Sequence, residues 1–130
     1  MQDEQLIQAA GAARAGAYAP YSKFAVGAAI LLADGSVVTG SNIENAAYGE
    51  TICAERVAVV KAVSEGQRAF LKIAIIADTD EYCVPCGACR QVLREFSPEI
   101  TVLCANKDGV FQSFSLAELL PHSFALNEGV

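Results

Sequence analysis

The chain has 130 residues, of which 53% are hydrophobic and 18% charged, and its formal net charge is −6. That length builds one hydrophobic core rather than two, so residues 1–130 are expected to form a single domain, with some apolar surface covered by further copies of the chain. Its nine basic residues are scattered among fifteen acidic ones, which argues against a nucleic-acid partner, since that needs clustered Lys and Arg.

The chain opens on Met1-Gln2-Asp3-Glu4, acidic where a secretion signal is basic, so a cytoplasmic location is expected. Glu4 to Tyr18, rich in Ala and Leu, predicts a helix stopped by Ala19-Pro20, because the residue before a proline disfavours helical angles. Phe24 to Ala33 is an apolar run of about half a membrane span, and Ser36 to Gly40 is a short β-branched one. Asp34-Gly35 between them reads as a two-residue hairpin turn joining antiparallel strands. Ser41 to Ile52 has no period and predicts a functional loop. Cys53 to Ser64 predicts a helix that is apolar nearly all round, buried on more than one side and ended by Glu65-Gly66.

Leu71 to Ala77 predicts a buried strand, and Cys86 to Phe96 a second short helix with Pro85 ahead of it. Ile100 to Ala105 and Val110 to Ser115 are strands about the turn Asn106-Lys107-Asp108-Gly109. The order is therefore α, β, β, α, β, α, β, β. Strands separated by helices imply crossovers, and hence a three-layer α/β/α sandwich around a five-stranded mixed sheet. The last two strands must be antiparallel, because a parallel pair needs a crossover of about a dozen residues.

Five cysteines in a chain without a signal point to reduced thiols or metal ligands rather than disulfides. Cys86 and Cys89, at i and i+3 of a helix, share a face and can reach one ion. Cys53 also opens a helix, so two helix N-termini lower the cost of deprotonating these thiols. Three thiolates leave a fourth tetrahedral position for water, as in a catalytic zinc site. Glu55, two residues after Cys53, can lean over the metal in the first helical turn and carry protons. Taken alone, Cys86-Gly87-Ala88-Cys89 could equally be a metal pair, a redox pair or buried thiols. Cys83 adds a further C-x2-C spacing, so a closed four-cysteine site is conceivable, although Cys83 precedes the helix and loses its dipole. Cys104, inside a strand, reads as core.

Cys53-Ala54-Glu55-Arg56 followed by Pro85-Cys86-Gly87-Ala88-Cys89-Arg90-Gln91 resembles the zinc motif of the cytidine deaminases. The resemblance runs from Tyr21-Ser22-Lys23-Phe24-Ala25-Val26-Gly27-Ala28-Ala29 through Asn42-Ile43-Glu44-Asn45-Ala46-Ala47-Tyr48-Gly49 to Leu119-Leu120-Pro121 and Phe124. It is nearest to the small, three-cysteine, homotetrameric branch. It implies one Zn²⁺ per subunit held by Cys53, Cys86 and Cys89, and hydrolytic attack at C4 of cytidine or deoxycytidine. Glu55 would protonate N3 and then deliver a proton to the departing amino nitrogen, which leaves as ammonia. It further implies Asn42 and Glu44 as ribose partners, Phe24 packed against the nucleoside, and the Ala54 amide donating to the base carbonyl. Tyr48 and Phe124 would come from a neighbouring subunit, and Arg56 would balance the charge of the thiolates. Cys83, Val84 and Glu50-Thr51 depart from the family pattern without touching a catalytic position.

Deaminases of polynucleotides share the motif but carry a helix between the last two strands and a basic groove, and neither is expected here. Blasticidin deaminases share the small architecture, against which Asn42-Ile43-Glu44-Asn45 and Phe24-Ala25-Val26-Gly27 favour cytidine. A purely structural zinc or redox module leaves Glu55 and the Asn42/Glu44 loop without a role.

Overall fold

The computed structural model describes residues 1–126; residues 127–130 of the expected domain lie outside them. In chain order the elements are α1 (Asp3–Ala13), β1 (Val26–Leu32), β2 (Val37–Ser41), α2 (Ala54–Ser64), β3 (Phe70–Ala77), α3 (Gly87–Phe96), β4 (Thr101–Ala105), β5 (Phe111–Ser115) and α4 (Leu116–Leu119). Short 3-10 turns occupy Arg14–Gly16 and Tyr48–Glu50. The strands form one five-stranded sheet in the order β2-β1-β3-β4-β5. Only β3 and β4 run parallel, joined by the crossover through α3, while β4 and β5 are antiparallel as their short connection demands.

The apolar strands hide a period of two. Ala28, Ile30 and Leu32 of β1, Ile73 and Ile75 of β3, and Val102 and Cys104 of β4 face a core shared with Ala54, Ala58, Val59 and Ala62 of α2 and Leu93 of α3. The alternate residues Ala29, Ala74, Ile76, Leu103 and Ala105 face Leu6, Ile7 and Ala10 of α1. Helices therefore cover both faces of the sheet, which is the expected sandwich.

Two glycines set how closely the helices sit. A Cβ at Gly27 would lie 1.9 Å from Ala10 O, and one at Gly40 would lie 2.5 Å from Ala54 O and 2.6 Å from Ala58 N. The bare glycine backbone lets α1 and the first turn of α2 touch the sheet directly.

Three local expectations need correction, and one helix was not foreseen. The first helix stops at Ala13, well before Tyr18. Tyr18 instead forms a β-bridge with Ile43, its N–H donating to Asn42 O and its carbonyl accepting from Glu44 N–H, at 2.9 and 2.8 Å. Pairing with the distant loop overrides the local helical preference. The β1–β2 hairpin has a three-residue loop, Ala33-Asp34-Gly35, because Leu32 N–H donates to Ser36 O and Gly35 N–H to Leu32 O, with Gly35 at φ +90°. The outward side of α2 stays open in a single chain, with Val60 53% exposed. Finally, α4 was not expected, although Ser115-x-x-Glu118 is a capping box: the Ser115 hydroxyl accepts from Glu118 N–H and the Glu118 carboxylate from Ser115 N–H.

Candidate active site

The ends of α2 and α3 meet at one point. Cys53 is the N-cap of α2 and Cys86 the N-cap of α3, with Cys89 in the first turn of α3. Their three sulfurs all lie within 4.8 Å of one another, and Cys86 Sγ is 3.5 Å from Cys89 Sγ. Tetrahedral Zn–S bonds of about 2.3 Å require sulfurs about 3.8 Å apart, so the donor set fits a zinc ion with one position left open. Cys83 is not in that group, and Cys104 is buried in the core beneath α2 and α3.

Cys53 and Cys89 perturb each other across the cluster. The Cys53 thiol is held down to about 5, chiefly by a hydrogen bond from Cys89 and then by Arg56. Cys89 is pushed well above the ordinary thiol range by the same contact and by burial. Without a cation such close thiols compete for one negative charge, and a dication ends that competition. Burial pushes Cys83 up to about 11 and Cys104 to about 12. Arg56 Nη2 donates to Cys53 Sγ at 3.6 Å and to Thr51 O at 3.4 Å, while its Nε is buried without a partner. No ion pair joins Arg56 to a carboxylate among the described residues.

Glu55 lies in the first turn of α2, 5% exposed. Burial, above all, raises its pKa, and the charge on Cys53 adds to the effect. A carboxyl so placed holds a proton more readily than a surface glutamate and can pass it on.

Beside the cluster lies a cavity of about 340 Å³ lined by Phe24, Asn42, Glu44, Cys53, Ala54, Glu55 and Cys86, together with Ser22, Val26, Thr51, Cys83 and Val84. Most of the residues singled out from the sequence thus share one space. Asn42 accepts from Val26 N–H (2.9 Å) and donates to Phe24 O (2.8 Å), which fixes the wall carrying Phe24. One oxygen of Glu44 accepts from the Tyr21 and Ser22 amides at 3.0 and 3.1 Å. The Ser22 hydroxyl first, and then these two amides, hold its carboxyl below the usual glutamate range. Tyr48, 79% exposed, lines an adjoining hollow with Tyr21, Ser22, Glu44 and Thr51. Phe124 is not on either wall in this chain: it is 68% exposed, with its carbonyl bonded to Gln91 Nε2.

Sequence reasoning missed Ser22, Val26, Thr51, Cys83 and Val84 as cavity walls. For Ser22 a signal existed, a serine two residues before Phe24 whose hydroxyl accepts the Phe24 N–H at 3.0 Å. The others are carried in by the meeting of separate segments.

The family model for the cytidine and deoxycytidylate deaminase zinc-binding region matches residues 1–105. The chain belongs to that family. It is 52% identical over 129 residues to a cytidine deaminase of Halalkalibacterium halodurans, covering 98% of each chain. It is 49% identical over 126 residues to one from Sporosarcina psychrophila, covering 96% of this chain and 93% of the relative. Its fold matches the crystal structure of cytidine deaminase from Burkholderia pseudomallei with TM-score 0.93 and 46% identity, over 95% of this chain and 100% of the other. Cytidine deaminase from Mycobacterium tuberculosis follows at TM-score 0.84 and 42% identity, over 97% and 100%. The chain is therefore an enzyme, a hydrolase of the cytidine and deoxycytidylate deaminase family. Zinc is the metal that this family and the three-sulfur cluster both call for. No helix among the described residues is long and apolar enough to cross a membrane.

Proposed function

We propose that this protein hydrolyses the 4-amino group of cytidine and 2′-deoxycytidine, releasing ammonia in pyrimidine salvage, as a cytoplasmic homotetramer in which residues 1–130 act as one unit. The observation that carries the reading is the buried Glu55 between the three-sulfur cluster and a cavity walled by Phe24, Asn42 and Glu44. Cys53, Cys86 and Cys89 hold zinc, which when bound supplies Lewis-acid activation of water. Over the reaction C4 gains the oxygen of water and loses its amino nitrogen as ammonia. Glu55 delivers a proton to ring N3 and a later one to the departing nitrogen.

The remaining walls orient the nucleoside. The Ala54 N–H, in the first turn of α2 where helix amides lack an intrahelical acceptor, donates to the base carbonyl. Phe24 packs against the base and sugar, and Asn42 and Glu44 receive the ribose hydroxyls. Tyr48 and Phe124 reach the site of a neighbouring subunit, and Arg56 offsets the excess charge of the thiolates. A polynucleotide substrate is disfavoured by the short β4–β5 turn at Asn106–Val110, which carries no helix, and by the scattered basic residues.

The test is an absorbance assay with cytidine, deoxycytidine, cytosine, CMP and blasticidin S, run on parent and Glu55→Gln. Parent protein should convert the two nucleosides and leave the rest. Glu55→Gln should keep its zinc and lose at least roughly three orders of magnitude in kcat, because one carboxylate serves two proton transfers. Turnover of blasticidin S alone sinks the substrate reading, and a variant within tenfold of the parent sinks the role of Glu55.

A further inference from the structure

The metal-ligand turn and the C-terminal segment converge on one side chain. Arg90 follows Cys89 on α3, and its guanidinium reaches two backbone carbonyls. Nε donates to Pro85 O at 2.8 Å and Nη1 to Leu119 O at 2.6 Å. Pro85 is fully buried and immediately precedes Cys86, and Leu119 is the last residue of α4. The start of the same turn is tied to the sheet by the Cys83 N–H, which donates to Ala105 O at 3.1 Å. Two further side chains of α3 grip the segment beyond α4. Gln91 Nε2 donates to Phe124 O and Arg94 Nε to Ser123 Oγ, each at 2.8 Å. The helix that presents Cys86 and Cys89 at its N-terminus thus also holds the chain from Leu119 to Phe124.

We infer that Arg90 is a positioning residue that joins the Pro85-Cys86 turn to the C-terminal segment, so that zinc retention and the order of that segment are linked. A planar guanidinium presents donors in a fixed fork and can hold two carbonyls at once, where an ammonium offers one compact charge. Proline contributes no N–H, so the Pro85 carbonyl is its one backbone handle, and Arg90 is the side chain that takes it. Loosening either carbonyl frees the guanidinium from its fixed position and weakens its grip on the other. Such coupling must run in both directions.

The inference rests on the three-thiolate zinc site proposed above. Its test uses zinc-loaded full-length protein with Arg90→Gln and Arg90→Lys, reading zinc release to a colorimetric chelator and amide exchange by mass spectrometry. Both variants should release zinc at least tenfold faster than the parent. Exchange should rise at residues 83–90 and 116–126 while β1 and β3 keep their protection. In the reciprocal arm, Gln91→Ala with Ser123→Ala should speed release severalfold when Arg90 is present and add nothing to Arg90→Gln. Release within twofold of the parent overturns the inference. So does loosening spread equally over the sheet, or additive effects in the combined variant. A parent protein that binds no zinc overturns the metal reading and this inference with it, whereas a zinc-loaded parent with unaffected variants overturns the inference alone.

Discussion

Arg56 sits where the charge of the sulfur cluster is decided. Three thiolates around a zinc dication would leave about one net negative charge, which would raise the pKa of a water there and weaken it as a nucleophile. A guanidinium 3.6 Å from Cys53 Sγ would draw some of that charge away, even though its Nε is left buried and unpartnered. Removing the cation should therefore hurt catalysis more than folding. Arg56→Gln is expected to lower kcat at least several-fold at full zinc content. Adding Cys53→His, which replaces one thiolate by a neutral ligand, should restore part of the loss. Steady-state kinetics on zinc-verified proteins decide the point, and independent, additive losses in the double variant would show that Arg56 does not balance the site.

At the scale of elements, the position of Cys53 and Glu55 depends on α2 lying hard against β2. Gly40 permits this, and a methyl group there would meet Ala54 O at 2.5 Å. Gly40→Ala should cost about 1–3 kcal/mol by overpacking, read from urea unfolding, and should weaken zinc retention if the displaced turn, which carries Cys53, supplies a ligand. Unchanged stability and zinc affinity would mean that α2 tolerates the shift. The α4 capping box offers a pH test. The Glu118 carboxyl is held below its ordinary 4.5, first by the Ser115 backbone N–H and then by the Ser115 hydroxyl. A lowered folded-state pKa gives stability that is present above the unfolded value and is lost as pH falls through the folded one. The unfolding midpoint of the parent should therefore exceed that of Glu118→Gln at neutral pH, and the gap should close as the pH drops below 4.5. A gap that is constant with pH would assign the effect to shape rather than charge.

For the whole molecule, the side chains expected to serve a neighbouring site, Tyr48 and Phe124, stand 79% and 68% exposed, and Val60 on α2 is 53% exposed. Large apolar groups left in water by one copy are the material of a subunit interface. Light scattering should return the mass of four chains, and Phe124→Ala should raise KM for cytidine while leaving zinc content unchanged. A fully active monomer would refute the shared-site assembly.

The parts of the three-sulfur cluster were legible in the sequence because each rests on a short spacing. Cys86 and Cys89 at i, i+3, and Cys53 with Glu55 at a helix start, carry their geometry locally, as does the four-residue turn that makes β4 and β5 antiparallel. The alternation of helices with apolar strands likewise announced a sheet covered on both faces. What tertiary structure alone decided were distances between segments far apart in the chain. The Tyr18–Ile43 bridge ended α1 early, and the meeting of Ser22, Val26, Thr51 and Cys83 around the cavity joined loops that no local pattern relates. The reach of Arg90 to both Pro85 and Leu119 is of the same kind. Local propensities and spacings act over a few residues, whereas contacts of this kind exist only once the sheet has brought its connections to one edge.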